Sequence, residues 1–459
     1  MKNSNSNYFL EKPNLKSQDP DVYEILKAEE EKQTNKLCMI ASENFVSKAI
    51  REAVGSAFMN KYSEGQVGKR FYEGNYNIDD LEKLCKERAA KLFNIPVKWR
   101  VNVQALSGSP ANLAVYMALL KPGEKIMGMY LYDGGHITHG WSYEKGLKND
   151  PSKIIHRGGQ RKVSASSYFF TSVQYKTDPQ TQLIDYDKLE KAVLAEKPQI
   201  LVTGGTAYPR EIDYKRMNSI AKKAGAYYLA DIAHEAGLIA AGVNNSPVGI
   251  ADVVTFTTHK TLRCNRGAII MADKKLMKKI DRAVFPGLQG GPHNHSIAGI
   301  AVGLKEAMQP EFKKYAAQIV KNAKALASAL EGYRFDIVSG GTDKHLLLID
   351  LSSKGVFGRK FARALDYAGI VANMNTIPQE SRSPSDPSGL RIGTPWVTTR
   401  GLKEEDMGLI AKWMNRVMER ISEWKSLKFD VFDAKVAKCD ALVGIASEIK
   451  EFLSDGDCC

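Results

Sequence analysis

Between residues 125 and 273 short apolar runs alternate with helical patterns, and that alternation restricts the possible folds more than any other feature. KIMGMYL, KPQILVTGG, AYYLADIAH, ADVVTF and GAIIMAD are each strand-length and rich in β-formers; segments such as RMNSIAKKAG lie between them. Short strands separated by helical crossovers lie side by side as parallel strands. The expected class is therefore α/β: a mostly parallel central sheet sandwiched by helices. In open sheets of this kind, ligands collect beyond the carboxyl ends of the strands. Residues that follow the runs thus become the candidates for chemistry.

The flanking segments have a different texture. Asp19-Pro20 reads as a cap followed by proline at the first helical position, and EILKAEEEKQTNKL continues as a charged helix. SKAIREAVGSAF reads as a second, short helix and LEKLCKERAAKLF as an amphipathic one. Between them KYSEGQVGKRFYEGN is a polar, glycine-rich loop of about fifteen residues, long enough to suggest a functional role. Beyond about residue 300, KYAAQIVKNAKALASALEGY places Ala316, Ile319, Ala323, Leu326 and Leu330 on one helical face. FDIVSGG and KHLLLIDL read as strands, and a last long helix aligns Met407, Ile410, Met414, Val417 and Ile421. The expected division is a helical arm over 1–57, a large α/β domain over 58–299 and a small α+β domain over 300–459.

A chain of 459 residues has ample core without staples. Cys38, Cys85, Cys264, Cys439, Cys458 and Cys459 show no metal-type spacing, so no metal site is expected and a reducing, cytoplasmic setting fits. The terminal Cys458-Cys459 pair reads as a frayed tail rather than a lipidation signal. The start MKNSNSNYFLEKPN has no apolar core of a signal peptide, and no run approaches ~18 apolar residues, so no membrane partner is expected. Net charge is +13, which favours anionic ligands. The basic residues are interleaved with acids rather than gathered in a stripe, which argues against nucleic acid.

Asp231 ends the run AYYLAD, and Lys260 follows ADVVTF within DVVTFTTHKTLRCNRG. A capping aspartate and a solvated lysine are each the commoner case taken alone. Together, at neighbouring strand ends, they match what pyridoxal phosphate requires: a carboxylate that keeps the ring nitrogen protonated, and an amine that bonds the aldehyde carbon. Ser107, Gly108 and Ser109 precede a helix opened by Pro110, where free N–H groups and hydroxyls suit a dianion; Gln289-Gly290-Gly291-Pro292 offers a second glycine-rich turn. Arg391 in SGLRIGTP has the planar fork for a substrate carboxylate. His136 and His139 in YDGGHITHGW offer an imidazole to stack on a ring.

These segments, with IASEN, YSEG, SGS-x-AN, GGH-x-THG, AYPREIDY, LAD-x-AH-x-AG, THKTLR, QGGPH and RIGTP in order, make the chain resemble serine hydroxymethyltransferase over nearly its whole length. The resemblance implies the aspartate-aminotransferase type of fold and a homodimer or homotetramer with shared active sites. It implies pyridoxal phosphate as cofactor and tetrahydrofolate as co-substrate. The implied reaction is reversible transfer of the serine hydroxymethyl carbon to tetrahydrofolate, giving glycine and 5,10-methylenetetrahydrofolate. It further implies that Lys260 bonds the cofactor, Asp231 pairs with the ring nitrogen, His136 stacks on the ring, and Thr206 and His234 lie near it. Ser107, Gly108, Ser109 and His259 would contact the phosphate, with Tyr62 and Gly291 from a neighbouring subunit. Ser42 and Arg391 would hold the amino acid, with Tyr72 from the neighbour. Glu64 would handle a proton at the serine hydroxyl or the folate, Thr257 belongs to the threonine run beside the lysine, and Leu131, Gly135 and Asn375 would line the folate site.

The pattern is departed from in places. Phe256 interrupts the threonine run, Cys264-Asn265 replaces Gly-Pro, Thr206 replaces a serine, Met374 replaces a lysine, and Gln66-Val67, Phe71 and Glu73 alter the glycine-rich loop. Two other functions remain compatible: a folate-independent aldolase for β-hydroxy amino acids such as threonine, and a non-catalytic relative that binds RNA or protein through its basic surface.

Overall fold

In the computed structural model, residues 14–143, 154–157 and 161–455 are described. The Cys458-Cys459 pair and residues 1–13 of the leading segment lie outside them. The central sheet has eight strands: β1 (Trp99–Asn102), β2 (Lys125–Met129), β3 (Ile155–Arg157), β4 (Thr171–Tyr175), β5 (Ile200–Thr203), β6 (Tyr227–Asp231), β7 (Val253–Thr257) and β8 (Ala268–Asp273). Their order is β1-β8-β7-β6-β5-β2-β4-β3. Neighbours from β7 through β4 are parallel. β8 runs antiparallel between β7 and β1, and β3 is antiparallel to β4. The five apolar runs are β2, β5, β6, β7 and β8. β4 was hidden by composition: TSVQY carries buried polar residues, with the Ser172 hydroxyl donating to the Gly140 carbonyl.

The helices that matter for the site are α1 (Pro20–Asn35), α2 (Tyr76–Leu92), α3 (Gly108–Leu119), α4 (Asn294–Ala307), α5 (Pro310–Gly332) and α6 (Glu404–Ser422). Asp19 caps α1, accepting from the Val22 N–H at 3.1 Å. A second, antiparallel sheet has the order β9 (Asp336–Ile337), β10 (Leu346–Asp350), β12 (Gly389–Gly393) and β11 (Asn373–Asn375). Two cores meet within α5. Ala316 and Ile319 pack with the large sheet, whereas Ala323, Leu326 and Leu330 pack with β10, β12 and α6. Leu37 and Cys38 pair in parallel with Ile370 and Val371. The chain beyond them accepts at Met39 O from the Gly393 N–H of β12 at 2.7 Å, which delivers Ser42 to the edge of β12.

Three departures from the family pattern have structural explanations. Strand side chains alternate, so Thr255 and Thr257 share one face of β7 and Phe256 takes the other, its ring 4.7 Å from Phe93 in the core. The insertion of a bulky residue in the threonine run therefore leaves the ligand face unchanged. Cys264 and Asn265 lean on α4 where it has no side chains: a Cβ at Gly303 would collide with Cys264 Sγ, and one at Gly299 with Asn265 Oδ1. Volume added in the loop is matched by volume missing from the helix.

Candidate active site

Asp231 is the last residue of β6 and lies opposite Thr255 of β7. Its Oδ2 accepts from Asn112 Nδ2 at 2.8 Å and from His139 Nε2 at 3.1 Å, and Oδ1 accepts from the Ala233 N–H at 3.1 Å. Burial by itself would raise its pKa. The His139 contact, the nearby His136 ring and the Asn112 bond outweigh it and hold the carboxyl well below the usual carboxylate range. The result is an ionised acceptor fixed by three hydrogen bonds.

Lys260 lies three residues beyond the end of β7, in a turn closed by Arg263 N–H to Lys260 O at 3.0 Å and by Asn44 Nδ2 to the same carbonyl at 2.9 Å. It is 8% exposed. Burial lowers its pKa to about 8, helped by Arg391 and Arg266 and opposed by Asp231. An amine must be neutral to attack a carbonyl carbon, and burial disfavours the charged form. Capture of pyridoxal phosphate by the apoprotein is therefore expected to quicken with rising pH and level off above about 8. A stopped-flow absorbance series from pH 6 to pH 10 checks this; a rate still climbing tenfold per unit at pH 10 would mean an ordinary, solvated lysine.

At the opposite end of the site, α3 begins at Gly108 with Ser107 as N-cap, and the Ser107 side chain makes no capping bond. Its hydroxyl and the first N–H groups of the helix are thus available to an anion. A Cβ on Gly108 would come within 2.6 Å of Thr257 Cγ2, so only glycine lets the helix end approach β7 this closely. Thr257 Oγ1 and His259 Nδ1 are buried and find no partner among the described residues. Burial lowers the His259 pKa to about 3, so the ring is neutral. Two buried polar atoms lacking partners, a helix start and two serines flank Lys260; this donor set suits a phosphate ester joined to a ring aldehyde, and pyridoxal phosphate fits it.

The remaining candidates divide into two groups. His136 faces Lys260 and Asp231; burial and His139 lower its pKa to about 4, which keeps it neutral, as stacking on a cationic ring requires. Arg391, in the middle of β12, donates from Nε to Asn373 Oδ1 at 3.0 Å and from Nη1 to the Thr206 carbonyl at 2.8 Å. Burial lowers its pKa to about 10, with Glu43 opposing, so the fork stays charged. The Thr206 hydroxyl donates to Gly135 O at 2.8 Å; threonine in place of serine thereby braces the Gly134-Gly135 turn. A side chain at Gly135 would strike the Met129 carbonyl. His234 Nδ1 lies 3.1 Å from His345 Nε2, rings stacked. Ser42 and Leu131 are half-buried in turns, and Asn375 donates to Thr376 O at 2.7 Å. Met374, beside Asn375 on β11, is exposed.

Tyr62, Glu64, Tyr72 and Gly291 form a second cluster. The Tyr62 and Tyr72 rings meet edge-on at 5.2 Å. A Cβ on Gly291 would lie 3.3 Å from the Tyr62 ring, and one on Gly290 3.1 Å from Glu64 Oε1. Tyr62 is 55% and Tyr72 47% exposed. Among the described residues, no hydrogen bond or ring contact joins this cluster to Lys260, Asp231 or Arg391.

Sequence reasoning passed over Asn112, Thr138, Thr255 and His345 and left the role of His139 open. The nearest signal was Asn112 in SGS-x-AN, one helical turn beyond Gly108. His136, His139 and Asp231 also bring three ligand-type atoms within 4.8 Å of one another, but Asp231 Oδ2 is already shared by His139 and Asn112. Among the described residues, no helix is long and apolar enough to cross a membrane.

Comparison with known proteins agrees with this geometry. The family model described as serine hydroxymethyltransferase matches residues 15–414. A protein of that name from Acidothermus cellulolyticus is 48% identical, covering 92% of this chain and 94% of the relative. The one from Caenorhabditis briggsae is 46% identical over 97% of this chain and 89% of its own. A cytosolic one from Saccharomyces cerevisiae is 46% identical over 91% of this chain and 89% of its own. With a match of this extent laid over a buried lysine, a fixed carboxylate and a helix-borne anion cradle, the chain belongs to the serine hydroxymethyltransferase family.

Proposed function

We propose that Lys260, Asp231, His136 and Arg391 are the groups through which this chain performs the reaction of its family. That reaction is transfer of the serine hydroxymethyl carbon to tetrahydrofolate, with pyridoxal phosphate as cofactor and glycine as product; the relatives favour it over the folate-independent aldolase. The observation that carries the residue assignment is the pairing across neighbouring strands: Asp231 at the end of β6, its side chain 10% exposed, and buried Lys260 just past β7, with the start of α3 packed against Thr257 at the end of β7. When bound, the cofactor supplies an electron sink for the pair released as a bond at the amino-acid Cα breaks. Asp231 holds the ring-nitrogen proton. His136, beside Asp231 and Lys260, would pack on the ring. Ser107, Gly108, Ser109, Thr257 and His259 receive the phosphate. Arg391 would hold the substrate carboxylate beside Ser42 and so orient the bonds at the substrate Cα, a positioning effect. Leu131, Gly135 and Asn375 line the folate side. Purified protein is expected to convert serine to glycine rapidly only when tetrahydrofolate is present; equal rates with and without it would return the aldolase reading.

The exposed Tyr62–Tyr72–Glu64–Gly291 cluster supports a homodimer, or a pair of dimers, in which it completes the neighbour's site. Its separation from Lys260 within one chain and its exposed aromatic rings are what that reading explains. Mixing inactive Lys260→Ala with inactive Tyr72→Ala subunits is then expected to restore some turnover, because one hybrid site holds both native residues. No recovery, with subunit exchange verified by mass spectrometry, would remove the shared-site reading. The yeast relative is named cytosolic, and four free, buried cysteines suit the same reducing compartment, which is the proposed location.

A further inference from the structure

Asn112 is 1% exposed and sits on α3 one turn beyond the Ser107–Ser109 cradle. Its amide makes three hydrogen bonds, and every proton in them can be assigned. Thr255 Oγ1 donates to Asn112 Oδ1 at 2.7 Å. With its oxygen so occupied, Asn112 Nδ2 donates to Asp231 Oδ2 at 2.8 Å and to Thr138 Oγ1 at 3.0 Å. The Thr138 N–H can only donate, and at 3.2 Å it meets His136 Nδ1. That nitrogen is therefore the lone-pair nitrogen of a neutral ring, and the Thr138 hydroxyl, 2.6 Å away, donates to it as well. The chain of donors runs in one direction, Thr255 to Asn112 to Thr138 to His136, with a branch from Asn112 to Asp231.

We infer that Asn112 is a positioning residue which clamps the carboxylate under the ring nitrogen and the imidazole on the ring face at a fixed spacing from the phosphate cradle. Its amide is taken up by Thr255, Asp231 and Thr138, and it acts through Asp231 and Thr138. Its backbone belongs to the helix that presents the phosphate donors, so a single turn of α3 sets the distance between the two ends of the cofactor. Thr255 gives the amide its orientation: reversed, the Asn112 oxygen would face the Asp231 carboxylate and the pair would repel. This inference rests on the assignment of Asp231 and His136 proposed above.

The test is equilibrium binding of three compounds to the apoprotein: pyridoxal phosphate, its carbocyclic analogue with CH in place of the ring nitrogen, and pyridoxal without the phosphate. A hydrogen bond to a charged group has an effect of roughly ten- to a hundredfold. Asn112→Ala is expected to weaken pyridoxal phosphate by about that factor while the carbocyclic analogue changes by less than about threefold and the preference for phosphate over no phosphate is kept. Thr255→Val, which retains the amide but frees it to flip, is expected to fall between wild type and Asn112→Ala. Asn112→Ser guards against misfolding of the alanine variant, with melting temperature of the apoprotein as control. Equal losses on all three compounds, or none, would overturn the inference by making Asn112 a packing residue. The parent assignment is read separately with Asp231→Ala: if that variant still discriminates the ring nitrogen from CH, the assignment of Asp231 fails; if only the Asn112 variants leave discrimination intact, the clamp alone fails.

Discussion

Lys260→Ala is expected to abolish covalent capture of pyridoxal phosphate and to lower serine turnover by about a thousandfold or more, the scale of losing a group that both bonds and moves protons. The competing candidate is Lys344, which is also buried. The two lysines differ in what meets the amine. Lys344 Nζ lies 2.9 Å from Glu235 in an ion pair whose side chains are 3% and 4% exposed. Removing one partner of such a pair leaves an uncompensated buried charge, so Lys344 serves as a structural tie between the two cores. Among the described residues Lys260 has no such carboxylate in contact, and burial moves its amine toward the neutral form. Borohydride reduction of the holoprotein followed by peptide mass spectrometry checks the assignment: the cofactor should be found on the Lys260 peptide in wild type and on no peptide in Lys260→Ala. Stoichiometric label elsewhere, with turnover kept, would displace Lys260 from the site.

The parts of this site legible in the sequence are those whose chemistry depends on residue type and strand position together. Asp231 and Lys260 could be placed because each follows an apolar run, and the sheet then had to bring the ends of adjacent strands to one edge. Ser107–Ser109 could be placed because proline at 110 signals a helix start close by, although the helix begins two residues earlier, at Gly108, with Ser107 as its N-cap. Asn112 could not, because its importance lies in partners 143 and 119 residues away, Thr255 and Asp231, and an asparagine inside an apolar helix has no local signature of that. His345 belongs to the same class: it comes from the segment leading into β10 and meets His234 across the two cores. The altered residues were legible only as departures. What makes Phe256 harmless is the two-residue period of β7, and what makes Cys264 and Asn265 fit is the pair of glycines on α4, some forty residues later.

Glu64→Gln is the substitution that separates the role of the second cluster from that of the first. Glu64 sits just before the small hairpin formed by Gly65–Gln66 and Lys69–Arg70, half-buried beside the Gly290-Gly291 turn rather than on a helix face. The hairpin is firmly held: the Arg70 guanidinium donates to Asp79 at 2.7 Å, to buried Glu82 at 2.7 Å and to two loop carbonyls. A carboxylate held in place in this way is what the shared-site proposal needs. Glutamine keeps the shape and the hydrogen-bonding ends and removes the exchangeable proton. Positioned acid–base groups contribute about 10²–10⁴-fold, so folate-dependent serine cleavage is expected to fall by that factor. Folate-independent cleavage of a β-phenyl or β-methyl serine analogue is expected to fall far less, because the proton in question belongs to the transfer to folate. Cofactor affinity should be unchanged, since Ser107–Ser109, Asp231 and Lys260 are untouched. The two rates are measured on one preparation. Equal, small losses in both would make Glu64 a solvated loop residue and move the proton transfer to another group.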